Sequence, residues 1–89
     1  MKIDPRETNL MGQWQEMSGR VQGDAIEARI GWLITNHLEK VADGNWTVLY
    51  RDPGDGRLWE LTYPHGEMHG GGPKRLTVLS ADDAAKRYP

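Results

Sequence analysis

His65, Glu67 and His69 are the residues whose types most directly suggest chemistry: two imidazoles four apart with a carboxylate between them. On a helix that spacing sets both rings on one face, where neutral imidazole nitrogens bind zinc. Gly66 and the run Gly70, Gly71, Gly72 oppose a helix here, so no metal site is expected, and His69 is read as ordering its loop or touching a partner. The string from His69 to Gly72 also has the form of an esterase oxyanion loop, whose backbone N–H groups stabilise developing negative charge. The matching nucleophile is missing, because the serines are Ser18 and Ser80 and neither lies in a G-x-S-x-G elbow. Followed by Lys74 and Arg75, the glycines could instead cradle an anion, but a loop that uses them for positive φ is the simpler reading.

Asp52, Asp55 and Gly56 look like part of a calcium loop, yet the spacing is not D-x-D-x-D-G and no bidentate Glu follows at the twelfth position. Turn chemistry accounts for them: Asp side chains bond nearby backbone N–H groups, Pro53 presets φ, and Gly54 or Gly56 takes unusual dihedrals. Glu60 follows Trp59 inside a strand-like run, and with Arg51 and Arg57 close in sequence it is expected to form a cross-strand ion pair at the surface. The polar side chains on this stretch, Asp52, Asp55, Arg57, Glu60, Tyr63, Glu67 and His69, are the candidate partner-binding residues. None is assigned a catalytic role, and no cofactor is expected.

These groups need elements to hold them. The clearest is a helix over 25–42: Asp24 and Glu27 form a capping box, and Ile26, Ile30, Leu33, Ile34, Leu38 and Val41 recur at helical spacing. Asp43-Gly44 is expected to end it, Gly suiting the left-handed cap. His37 falls at the edge of the apolar stripe. Beyond it the period changes. Residues 46–51 and 58–63 are rich in aromatic and β-favouring types and are separated by six turn formers, which predicts a β-hairpin over 46–63. Trp46, Val48 and Tyr50 would share one face, and Trp59, Leu61 and Tyr63 a face of the second strand. Residues 64–73 read as a long loop, 76–79 as a third strand, and Ser80 as the cap of a short helix that runs to Tyr88. Leu10 and Trp14 would anchor a short strand or extended lead-in. The expectation is an α+β domain spanning 1–89, a small antiparallel sheet centred on the hairpin with the main helix across one face, preceded by a flexible arm over 1–9.

Composition narrows the function. With no Cys, neither disulfides nor a thiolate metal site is available. Net charge is −2, and residues 1–45 carry five basic and seven acidic side chains against six and six in 46–89, so a basic nucleic-acid-binding face is not expected. No apolar run approaches the ~18 residues that span a bilayer, and residues 1–10 lack the apolar stretch of a secretory signal, which makes the cytoplasm the expected location and a membrane an unexpected partner.

The stretch from Trp46 to Pro73 resembles the immunity protein 27 family of bacterial polymorphic toxin systems. That family's pattern is an aromatic strand, Asp-Pro-x-Asp-Gly-Arg, an aromatic residue with Glu-Leu-Thr-Tyr-Pro, then a Glu and His-Gly-Gly-Gly-Pro. It is matched here at 49–53, 55–57, 59–64, Glu67 and 69–73, with Gly12, Trp14, Arg29, Ile30 and Leu76 agreeing outside it. One departure is Lys74, where relatives often carry a second Pro. The resemblance implies a non-enzymatic inhibitor that binds a cognate toxin C-terminal domain of the same cell, a nuclease being one option, and neutralises it. The supply of Trp, Tyr and Arg, the types that dominate interface energetics, agrees with this. A structural or adaptor protein is the alternative, and less so a small hydrolase or metal binder using His65, Glu67 and His69.

Overall fold

The hairpin forms where the aromatic strands place it, with β5 (Val48–Arg51) and β6 (Leu58–Thr62) antiparallel and Tyr50 opposite Trp59. The computed structural model describes residues 3–17, 20–64 and 72–89. Around the hairpin it adds β1 (Asn9–Met11), β4 (Glu39–Asp43) and β7 (Arg75–Leu79), giving a five-stranded antiparallel sheet in the order β1-β7-β6-β5-β4. A separate two-stranded ribbon pairs β2 (Trp14–Met17) with β3 (Arg20–Gly23). With helices α1 (Ala25–Asn36) and α2 (Ala81–Arg87), the architecture is the α+β class expected.

Alternation along the strands gives the sheet two faces. Tyr50, Trp59, Leu61, Leu76 and Leu10 point one way and pack with Ile30, Leu33, Leu38 and Ile3 into the core, where Trp59, Ile30, Leu33 and Leu76 are fully buried. Helix α1 therefore crosses this face. Leu49 and Glu60, neighbours in register, point the other way and are also buried, and the C-terminal end of α2 reaches Glu60 from that side.

Helix α1 is shorter than its apolar stripe suggests. Asp24 caps it, accepting from the Glu27 N–H at 2.8 Å, but it ends at Asn36 and not at 42. The Leu33 carbonyl accepts from both His37 N–H (3.0 Å) and Leu38 N–H (2.7 Å), which turns the chain away. Residues 39–43 then gain a ladder with β5, a tertiary gain that overrides the helical spacing of Leu38 and Val41. Leu38 still reaches the core, while Val41, beside the register shift between Lys40 and Ala42, stays exposed. Gly44 accordingly opens a hairpin turn, its N–H donating to the Thr47 carbonyl at 2.8 Å. Trp46, expected inside a strand, lies at the tip of that turn with φ of 60° and 76% of its surface exposed.

The N-terminal stretch read as an arm is packed from Ile3 onward. Ile3 and Leu10 are core residues, Glu7 N–H closes a turn on the Asp4 carbonyl at 2.9 Å, and β1 pairs with β7, Leu10 opposite Leu76. Ser80 caps α2 as expected, with Asp82 and Asp83 in its first turn and Lys86 and Arg87 in its last, a distribution that suits the helix dipole.

Candidate functional site

The β5–β6 turn is made by its own carboxylates. Asp52 exchanges backbone bonds with its surroundings, its N–H donating to Arg57 O at 2.9 Å and its carbonyl accepting from Gly56 N–H at 2.7 Å, and Gly56 takes φ of 78°. Its side chain, nearly buried, accepts at Oδ1 from Gly54 N–H (2.8 Å) and lies 2.9 Å from His37 Nε2. That bond ties the end of α1 to the tip of the hairpin. Asp55 accepts from the Arg57 N–H (2.9 Å) and from Arg57 Nε (2.7 Å); the backbone bond is the larger cause that holds its carboxyl below the usual range. Arg57 continues from there to the N-terminal turn, donating to the carbonyls of Glu7 (2.6 Å) and Asp4 (3.2 Å), while its guanidinium sits 5.1 Å from the centroid of the Trp59 ring.

A pocket of about 310 Å³ opens beside this turn, lined by Ile3, Pro5, His37, Asp52, Gly54 and Asp55. Two carboxylates and an imidazole on an apolar rim can bind; among the described residues no group of three or more His, Cys, Asp or Glu comes together to hold a metal ion. Behind the pocket, Arg29 grips Glu7 with two bonds, 2.8 Å to Oε2 and 2.6 Å to Oε1. The hydrogen bond from Arg29 is the main reason the Glu7 carboxyl is held down at about 2.

Glu60 belongs elsewhere, and the expected surface pair with Arg51 or Arg57 does not form. Arg51 pairs with Glu39 at 3.3 Å and Arg57 with Asp55. Because Glu60 shares the face of Leu49, it is buried under α2, bonded at Oε1 by Arg87 Nη1 (2.7 Å) and at Oε2 by the Tyr88 hydroxyl (2.8 Å). The phenol oxygen is also 2.6 Å from Thr47 Oγ1, so the C-terminal residues are fastened to the β4–β5 turn. Burial raises the Tyr88 phenol. Tyr63 is half-buried against the edge of the core. His65, Glu67 and His69 lie outside the described residues.

The structure thus brings Asp52, Asp55 and Arg57 together at one turn and separates Glu60 from them. His37 joins that turn although its sequence position marks it only as a helix-edge polar residue. A third feature concerns Glu27, whose carboxylate does not complete the capping box but crosses to Lys74, accepting from its N–H and its Nζ, both at 2.9 Å. A Cβ on Gly12 or Gly23 would strike the Glu27 side chain, so both glycines make room for this link. The Lys74 N–H that Glu27 uses is the one a Pro at that position would lack.

No described helix is long and apolar enough to cross a membrane. No curated protein and no solved structure matches the chain. The family described as Immunity protein 27 matches residues 16–80, from within β2 through the helix, the hairpin with its Asp52–Arg57 turn and β7 to the cap of α2, and the chain belongs to that family.

Proposed function

We propose that this protein binds a cognate polymorphic-toxin domain in the cytoplasm of the cell that makes both, and neutralises it by non-covalent contact without chemistry of its own. Membership of the immunity protein 27 family is the observation that carries the reading. The geometry supports it, since the polar side chains at the β5–β6 turn hold backbone and one another, Asp55 with Arg57 and Asp52 with His37 and Gly54, and so fix a shaped surface. Contact falls at this end of the hairpin, on Asp55, Arg57 and the pocket rim at His37 and Asp52, with Glu67 and His69 as further contact residues; Tyr63 packs against the core, and Glu60 holds the C-terminal residues on the other side of the sheet. A toxin with a basic cleft, such as a nuclease, would meet the carboxylates through fast, salt-sensitive association.

The test is a titration of the purified chain against the toxin domain encoded beside it, read as binding and as residual toxin activity. Stoichiometric binding that abolishes toxin activity is expected, with Asp55→Ala weakening it. A wild-type chain that leaves the toxin unbound and active would overturn the reading.

A further inference from the structure

Trp46 combines two properties that a folded chain ordinarily avoids. It has φ of 60°, the left-handed region where the tip of a two-residue hairpin turn favours Gly or Asn, and it is 76% exposed. A bulky residue there costs free energy and gains little burial in return, so nothing in the fold itself explains its choice. The surrounding turn is nonetheless held firmly. Gly44 N–H donates to the Thr47 carbonyl, and the Tyr88 hydroxyl binds both Thr47 and the buried Glu60. The Tyr88 ring packs so closely on Gly44 that a Cβ there would come within 2.8 Å of it. Local strain kept in place by an over-determined surrounding is the pattern of a residue displayed for contact.

We infer that Trp46 is the aromatic anchor that enters an apolar pocket of the cognate toxin, a contact that rests on the function proposed above and adds to it a second end of the sheet. The four-residue strand β5 separates this turn from the one at Asp52–Arg57, roughly 13 Å of extended chain. A standard interface of about 800 Å² per partner is broader than that, so one toxin surface reaches both turns. A second copy of this chain is a poorer occupant. Antiparallel pairing of β4 with itself about Val41 would set Glu39 opposite Asp43 of the other copy, like charges across the pair, on an edge already broken by the shift at Lys40/Ala42.

The experiment measures toxin affinity, melting temperature and self-association for wild type, Trp46→Gly and Trp46→Asn, two replacements that accept this backbone. Both variants should melt no lower than wild type while toxin affinity falls at least about thirtyfold, the loss of a hot-spot residue. Affinity within about threefold of wild type overturns the anchor while leaving the proposed function standing; wild type that fails to bind the toxin overturns both. Variants that melt several degrees lower would make Trp46 a packing residue, and a wild-type dimer that the variants dissolve with toxin affinity unchanged would assign it to self-association; either result overturns the inference.

Discussion

Both carboxylate oxygens of Glu60 are bonded beneath a helix, so removing the group leaves the Tyr88 hydroxyl with Thr47 alone and frees Arg87 to water. Glu60→Ala should cost about 2 kcal/mol and lower Tm, with the affinity of the folded fraction for toxin unchanged. An affinity loss at unchanged Tm would instead make Glu60 a contact residue. Glu7 bears on acid stability. Its carboxyl is held down at about 2 in the fold, against 4.5 when unpaired, because Arg29 bonds both oxygens. A lowered folded value means that its stabilising contribution is complete above 4.5 and is lost as the pH falls toward 2. Denaturant melts of Glu7→Gln across that range should therefore show a shallower loss of stability with acid than wild type, and an unchanged slope would assign the acid limb to other groups. The turn roles of Asp52 and Asp55 were legible in the sequence because they depend on neighbours two residues away. The partners of Glu60 and His37 were not, since they lie 27 and 15 positions distant and follow from packing.

At the level of elements, the start of α1, the β5–β6 hairpin, β7 and the cap of α2 could be read from the chain, each being specified by local cap or turn chemistry joined to a periodic run. The end of α1 could not. Leu38 and Val41 satisfy a helical stripe as well as they fit an edge strand, and only pairing with β5 decides between the two. The docking of Ile3 was likewise hidden, for it depends on the sheet already being present, whereas β3 pairs locally with β2 and was missed because Arg20 to Gly23 hold one β-favouring residue, Val21. Leu33 is fully buried where α1 crosses the sheet, and Leu33→Ala should cost about 2–4 kcal/mol by thermal or urea unfolding. The Glu27 link fastens the first turn of the same helix to the segment entering β7, and Glu27→Ala, which strands the Lys74 N–H, should cost about 1–3 kcal/mol. A neutral result would mean that water replaces the carboxylate.

Across the whole molecule, helices cover both faces of one sheet, and the family match does not extend over all of that cover. It spans residues 16–80, while Arg87 and Tyr88, which hold Glu60, and β1, which closes the far edge, lie outside it. Removing 81–89 should bare Glu60 and the face that carries Leu49, and the truncated chain should lose its cooperative thermal transition. Strands β4 to β7 each pair with the next in sequence, whereas β1 pairs with β7, Asn9 meeting Thr77 across nearly the entire chain. Contacts so remote in sequence form late, after the neighbouring strands have paired. During synthesis the meander can begin to assemble strand by strand, but Leu10 has no strand to pair with until residue 76 has left the ribosome. The same strand should be the first to detach from the native state, its amides exchanging with solvent through a partial opening while those of β5 and β6 wait for global unfolding. Translation order thus makes the N-terminal strand, the first to be synthesised, the last part of the sheet to come into service.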